Sequence, residues 1–191
     1  MNSGSFTASK IILVTGAARS GKSEWAEQLA DRWTGTVTYI ATAQSSAKDL
    51  EWQTRIEAHR LRRPLHWKTL EIPFALTEVI ATSQPPGCLL IDSLGTWTAN
   101  LLSQADPNWA VTENNLLNAL RESVVDIILV AEETGWGVVP AYESGRCFRD
   151  RLGRLIRLIG AIADTTYLIT GGHALNLSLL GEKIGNPMAS S

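Results

Sequence analysis

Short runs of apolar residues alternate along this chain with longer segments in which apolar residues recur every three or four positions. The apolar runs are rich in β-branched residues and predict buried strands at Lys10–Thr15, Thr36–Ala41, Leu89–Asp92, Ile127–Ala131 and Tyr167–Thr170. The helical spacing predicts helices at Ser23–Trp33, Leu50–Leu61, Thr112–Val124 and Cys147–Ala163. A further short strand is predicted over His66–Leu70, and Pro73 opens another helix.

The alternation of strands and helices indicates an α/β fold. Strands that are apolar throughout are typical of a mainly parallel sheet that helices cover on both faces. A length of 191 residues suits one such domain. We therefore expect a single domain over residues 10–184, with a flexible head at 1–9 and a flexible tail at 185–191.

Composition and charge limit the classes of binding partner that the sequence suggests. The net charge of -2 gives no reason to expect binding to nucleic acid or to an anionic membrane. The two cysteines, Cys88 and Cys147, are far apart in sequence and do not indicate a disulfide framework. No stretch resembles a membrane span of roughly 20 apolar residues, and the N-terminus lacks the layout of a signal peptide. We expect a cytoplasmic protein.

The strongest motif is a phosphate-binding loop between the first strand and the first helix. Residues 16–23 match G-x-x-x-x-G-K-[ST] at every fixed position. Glycines let successive backbone N–H groups converge on a phosphate, the helix N-terminus adds its positive dipole, the lysine adds a charge and the last hydroxyl is a ligand for Mg²⁺. The loop residues are Gly16, Ala17, Ala18, Arg19, Ser20, Gly21, Lys22 and Ser23.

Asp92 ends an apolar strand and is a candidate partner for that loop. A carboxylate there can reach the Mg²⁺ of a bound nucleotide. The alternative is an ordinary turn starter or helix cap, since Ser93 and Gly95 follow. The loop upstream favours the metal role.

A histidine lies within a basic helical segment, Asp49–Arg63. Glu51, Arg55 and His59 fall near one face of the predicted helix. The surrounding arginines favour a neutral imidazole, the form that attacks phosphorus, and they would attract a triphosphate. From this segment alone, a solvated helix face with a surface histidine is the favoured interpretation.

Taken together, the motifs resemble one family, the bifunctional adenosylcobinamide kinase / adenosylcobinamide-phosphate guanylyltransferases of cobalamin biosynthesis. The resemblance runs from about Ile11 to about Leu177. It rests on the ordered set LVTGAARSGKS, YIATA, RIEAHRLRRP, WKTLEIP, LLIDSLGTWTANLL, GWGVVP and FRDRLGRL. The loop motif alone occurs in many proteins, whereas the ordered set is far more specific.

This resemblance implies a RecA-like P-loop fold, a homotrimer and two activities. ATP or GTP phosphorylates adenosylcobinamide, and GMP from GTP then passes through a guanylyl-histidine to give adenosylcobinamide-GDP. The implied catalytic residues are His59 and Lys22, and Ser23 and Asp92 would bind Mg²⁺. Beyond the loop and Asp92, the resemblance implies nucleotide contacts from Ala41, Thr42, Ala43, Arg60, Leu61, Arg62, Arg63 and Glu71.

Three positions depart from the family pattern. Ala17 stands where many members have glycine, a change that costs little unless φ is positive. Glu132 stands before Glu133 where the family often has asparagine, so any role there is open. Ala58 precedes a single His59 where some members have two adjacent histidines.

Two other functions remain open from the sequence. A nucleotide switch would bind GTP without transferring a group, although the chain has no Asn-Lys-x-Asp guanine motif. A small-molecule kinase would transfer only the γ-phosphate. The preference for ATP or GTP is not readable, and Trp97, Trp109 and Trp136 are candidates for corrin contact or, more simply, for core packing.

Overall fold

The computed structural model describes residues 9–44 and 63–184 of the chain. Within these residues, seven strands form one sheet. They are β1 (Ile11–Gly16), β2 (Thr36–Ala41), β3 (Lys68–Glu71), β4 (Gly87–Asp92), β5 (Asp126–Glu132), β6 (Thr165–Thr170) and β7 (His173–Asn176).

Helices connect most of these strands. They are α1 (Lys22–Asp31), α2 (Leu76–Thr82), α3 (Leu94–Asn100), α4 (Asp106–Glu122), α5 (Glu143–Ile162) and α6 (Leu177–Leu180). None of the helices in the described ranges is both long and apolar enough to span a bilayer.

The sheet has the order β3-β2-β4-β5-β1-β6-β7. All neighbouring pairs are parallel except the last, in which β7 returns antiparallel along β6. The strand that precedes the phosphate-binding loop, β1, is separated from the strand that ends in Asp92, β4, by β5 alone. This confirms the mainly parallel α/β sheet predicted from the sequence.

Apolar side chains form a core on each face of the sheet. One core joins the sheet to α2, α3, α4 and α5 and contains Leu76, Leu94, Leu116 and Leu152, all fully buried. The other lies beneath α1 and contains Ala26, Ala30 and Val37. Because alternate strand residues point to opposite faces, strands covered on both sides must be apolar at nearly every position.

The structure adds elements that the sequence pattern did not predict. Helix α3 directly follows β4, and α4 begins at Asp106 rather than at Thr112. Strand β7 was also missed, because it has only four residues and directly follows a glycine pair with positive φ. The predicted helix over Leu50–Leu61 lies outside the described residues.

We expect Val37→Ala to lower the free energy of unfolding by about 2–3 kcal/mol, because Val37 is 1% exposed and the lost methyl groups leave a cavity. The matched control is Val124→Ala, at a residue that is 59% exposed. This substitution should change the free energy of unfolding by less than about 0.5 kcal/mol. Urea unfolding followed by circular dichroism measures both. Equal effects of the two substitutions would contradict the assignment of Val37 to the core.

Candidate nucleotide site

The carboxyl ends of the parallel strands meet at one edge of the sheet, and the candidate site lies there. Ala41 at the end of β2 is level with both Glu71 and Asp92 on the neighbouring strands. Gly16 at the end of β1 is level with Glu132 at the end of β5. The fold therefore brings the phosphate-binding loop and the strand-end acids to the same edge.

The loop needs glycine at two positions for different reasons. A Cβ atom at Gly16 would lie 2.6 Å from the carbonyl oxygen of Ile169, so the close approach of β6 excludes any side chain. Gly21 has a φ of 92°, which L-residues rarely adopt. Arg19 shares this region with a φ of 61°, whereas Ala17 does not. Alanine at position 17 is therefore compatible with the loop, as expected from the sequence.

The loop leads directly into α1, whose N-terminus faces the same space. Gly21 is the N-cap and supplies no side-chain hydrogen bond to the first turn. The hydroxyl of Ser20 is buried and has no hydrogen-bond partner. Free backbone N–H groups at a helix N-terminus together with an unpartnered buried hydroxyl form an arrangement that suits a phosphate group.

Lys22 points into this space although it is only 8% exposed. Its Nζ lies 3.4 Å from the carbonyl oxygen of Ala17 and 3.8 Å from Oε1 of Glu132. Burial of an ammonium group is costly unless anionic or carbonyl groups surround it. The lysine is thus held at the mouth of the loop by groups that a phosphate can replace.

Asp92 is tied to its neighbours by hydrogen bonds. The hydroxyl of Tyr39 donates to Oδ2 of Asp92 at 2.9 Å. Burial and the Asp92 carboxylate raise the pKa of Tyr39, so the phenol stays protonated and remains a donor. The guanidinium carbon of Arg63 lies 3.4 Å from the centre of the Tyr39 ring. Tyr39 therefore links Arg63 to the acid at the end of β4.

The residues that follow β2 and β4 hold these two strand ends together. The fully buried hydroxyl of Thr42 donates to the carbonyl oxygen of Ser93 at 2.7 Å and accepts from the Ser93 N–H at 2.9 Å. The Ser93 hydroxyl accepts from the N–H of Thr96 and so caps α3. The family resemblance implies a nucleotide contact at Thr42, and in the structure its side chain joins the ends of β2 and β4.

Glu132 lies between the loop and Asp92. Its Oε2 accepts a hydrogen bond from the Ser93 hydroxyl at 3.1 Å. Burial raises the pKa of Glu132, while the nearby Lys22 and the Ser93 hydrogen bond oppose that rise. Sequence reasoning noted Glu132 only as a departure from a family pattern. Its position directly after the predicted buried strand Ile127–Ala131 was the available signal.

The predicted site residues do not all fall at one point. The loop residues 16–23 and Asp92 lie together, and Ala41 and Ala43 are half-buried at the same edge. Glu71 is exposed at the far end of this edge, on β3. Four predicted residues, His59, Arg60, Leu61 and Arg62, lie outside the described residues.

The three candidate tryptophans separate clearly. Trp97 and Trp109 are buried in the core with their ring centres 5.9 Å apart, so packing is their role. Trp136 is 70% exposed in the segment after β5. Only Trp136 of the three therefore presents an open apolar surface.

A metal ion would have to share its ligands with the nucleotide. In residues 9–44 and 63–184, no group of three or more His, Cys, Asp or Glu side chains is arranged to bind a metal. Mg²⁺ prefers oxygen ligands and is usually held by one or two protein groups plus substrate phosphates. The Ser23 hydroxyl and the Asp92 carboxylate fit that ligand type.

A phosphate-binding loop between β1 and α1, with one strand between β1 and the acid-bearing β4, defines a RecA-like P-loop protein. The sequence profile of the family described as cobinamide kinase / cobinamide phosphate guanyltransferase matches residues 12–177. The chain belongs to this family.

Named relatives agree with this membership. The bifunctional adenosylcobalamin biosynthesis protein CobP of Pseudomonas aeruginosa is 44% identical over 175 residues, which cover 90% of this chain and 98% of the relative. The bifunctional adenosylcobalamin biosynthesis protein CobU of Escherichia coli is 37% identical over 182 residues, which cover 87% of this chain and 99% of the relative.

A solved structure with a TM-score above 0.5 supports the fold. The Pyrococcus horikoshii OT3 protein PH0250 superposes with a TM-score of 0.52 at 8% identity, covering 94% of this chain and 93% of that one. The flagellar accessory protein FlaH of Methanocaldococcus jannaschii gives a TM-score of 0.45 at 16% identity over 96% of this chain and 86% of its own.

We expect Gly95→Ala to destabilise the protein by about 1–3 kcal/mol, because the new Cβ would lie 1.9 Å from Oε2 of Glu132. The matched control is Gly153→Ala in α5, where no atom lies within 4 Å of the new Cβ. That change should stabilise by about 0.5–1 kcal/mol, since alanine favours a helix over glycine. Thermal unfolding of both variants tests the packing of α3 against Glu132. A Gly95→Ala variant as stable as the parent would contradict this packing.

Proposed function

We propose that this protein phosphorylates adenosylcobinamide with ATP or GTP and then transfers GMP from GTP to the product, giving adenosylcobinamide-GDP. The observation that carries the proposal is the family match over residues 12–177 in a chain whose phosphate-binding loop is formed at the sheet edge. The two activities are those named in the family description.

In the kinase reaction, the loop binds the β- and γ-phosphates. Backbone N–H groups of residues 16–23 and the Lys22 ammonium neutralise the charge that moves from the γ-phosphate to the β-phosphate. Ser23 and Asp92 would hold a Mg²⁺ ion, which supplies additional positive charge to the phosphates when bound. The substrate hydroxyl forms the new bond to the γ-phosphorus as the bond to the bridging oxygen breaks.

In the guanylyl transfer, His59 is the nucleophile. Its ring nitrogen attacks the α-phosphorus of GTP, the bond to the β-phosphate breaks and pyrophosphate leaves. A phosphate oxygen of adenosylcobinamide phosphate then attacks the same phosphorus, the P–N bond breaks and the neutral histidine returns. The covalent intermediate thus replaces one direct reaction between two anions, GTP and adenosylcobinamide phosphate, with two easier displacements.

The position of Arg63 supports this role for His59. Arg63 lies against Tyr39, which donates to Asp92. His59 precedes Arg63 by four residues, and four extended residues span about 14 Å at most. Chain length therefore limits the separation of the His59 and Arg63 Cα atoms to about 14 Å.

The carboxyl edge of the sheet suggests how a bound nucleotide would be oriented. Glu71 on β3 and Gly16 on β1 are separated by four strand spacings, about 19 Å. A nucleotide with its phosphates on the loop would extend along this edge past Ala41 towards Glu71. The nucleotide contacts proposed for Ala41, Thr42, Ala43, Arg63 and Glu71 fit this path. The contacts proposed for Arg60, Leu61 and Arg62 rest on the family resemblance alone.

A homotrimer in the cytoplasm is part of the proposal. It is the assembly that the family resemblance implies. Adenosylcobinamide and its phosphate are the proposed substrates alongside GTP or ATP, and neither nucleic acid nor a membrane is a proposed partner.

We expect His59→Asn to abolish covalent labelling by α-³²P GTP, because asparagine cannot form the phosphoramidate. The matched control is His66→Asn, which should label as the parent does. Rapid quenching followed by gel autoradiography measures the label, which should be labile to acid and stable to alkali.

The same variants separate the alternatives. A plain kinase would transfer γ-phosphate with no labelled protein and no pyrophosphate, and a switch module would bind GTP with neither outcome. Labelling of His59→Asn at the parent level would refute the guanylyl-histidine.

A further inference from the structure

The acid at the end of β4 needs a fixed orientation if it is to bind a metal ion. The proposed function includes a Mg²⁺ ion held by Ser23 and Asp92 with the nucleotide, and the inference below rests on that part of it. Hydrogen bonds to a metal-binding carboxylate fix its orientation, and their loss weakens metal binding. Tyr39 makes such a hydrogen bond to Asp92.

Tyr39 reaches Asp92 from the neighbouring strand. Tyr39 on β2 is level with Leu90 on β4, and Ala41 is level with Asp92. Because strand residues two apart point to the same face of a sheet, the side chains of Tyr39 and Asp92 lie on one face. The Tyr39 hydroxyl donates to Oδ2 of Asp92 at 2.9 Å. The register of the two strands thus directs the phenol at the carboxylate.

The ring of Tyr39 has little freedom to move. It is 3% exposed and belongs to the core beneath α1. The guanidinium carbon of Arg63 lies 3.4 Å from the ring centre, and Nη1 of Arg63 donates to the hydroxyl of Thr69 at 3.4 Å. Thr69 on β3 is level with Tyr39. Core packing and the stacked guanidinium therefore hold the ring in place, and its hydroxyl with it.

We propose that Tyr39 is a positioning residue for the nucleotide reactions, whose hydroxyl fixes Asp92 in the orientation that binds the magnesium–nucleotide complex. Tyr39 itself takes no part in making or breaking bonds. Arg63 supports the ring of Tyr39, so the loss of Arg63 weakens the same property to a smaller extent.

Isothermal titration calorimetry with the α,β-methylene analogue of GTP tests this role, because the methylene bridge resists cleavage at the α-phosphorus. Each protein is titrated with and without Mg²⁺, and the factor by which Mg²⁺ tightens binding measures the metal site. Tyr39→Phe keeps the ring and loses the hydroxyl, so its affinity with Mg²⁺ should fall about tenfold. Its affinity without Mg²⁺ should equal that of the parent.

A double-mutant cycle shows whether Tyr39 acts through Asp92. Asp92→Asn should itself lower the affinity with Mg²⁺. Adding Tyr39→Phe to Asp92→Asn should have little further effect, because the carboxylate that the phenol orients is already lost.

The same role predicts a change in the kinase reaction. In Tyr39→Phe, the Mg²⁺ concentration that gives half-maximal phosphorylation of adenosylcobinamide should rise about tenfold. The turnover number at saturating Mg²⁺ should stay near that of the parent, because the phenol does not contact the reacting atoms.

The matched control is Tyr167→Phe, the same change on β6, where the ring packs against Trp25 with the ring centres 5.5 Å apart. Its affinities with and without Mg²⁺ should equal those of the parent. If Tyr39→Phe fails to fold, Arg63→Gln provides a second test that leaves Tyr39 in place. The factor by which Mg²⁺ tightens binding should then fall about threefold, the effect of losing one cation–π contact.

Two results would overturn the proposal. An unchanged effect of Mg²⁺ in Tyr39→Phe would show that the phenol does not position Asp92. A full further loss when Tyr39→Phe is added to Asp92→Asn would show that Tyr39 acts on another group. A parent protein that binds the analogue equally well with and without Mg²⁺ would refute the magnesium site of the proposed function, and this assignment with it.

Discussion

The parallel alignment of the strands is the constraint on which the site depends. Because β1, β2, β4 and β5 run in one direction, their carboxyl ends form one edge, and each ends in a residue of the candidate site. The register places Glu132 beside Gly16, while Asp92 follows one strand further on. A shift of one residue in any pair would exchange side chains between the two cores and disrupt their packing, so the cores that stabilise the sheet also fix the site.

Charge at this edge is balanced within the protein. Lys22 is almost fully buried, and a carbonyl oxygen and a carboxylate replace the water it has lost. The unpartnered hydroxyl of Ser20 and the uncapped N-terminus of α1 lie beside it. Each of these groups gains a better partner when a phosphate enters, and this gain favours nucleotide binding over the empty loop.

The sequence predicted the strands well because their burial on both faces leaves a clear apolar signature. It also predicted the loop, whose spacing is set by backbone geometry. The link from Arg63 through Tyr39 to Asp92 and the contact of Glu132 with Gly95 were not predictable. Each joins residues distant in the chain, and which side chains meet depends on strand order, which local patterns do not determine.

The close packing of α3 against the end of β5 restricts which substitutions can be accepted there during evolution. The carboxylate of Glu132 fills the space that a side chain at position 95 would need. A larger residue at position 95 requires the Glu132 side chain to move away or to be replaced by a shorter one. The two positions are therefore expected to evolve as a pair, and a homologue with a bulkier residue at one should carry a smaller one at the other.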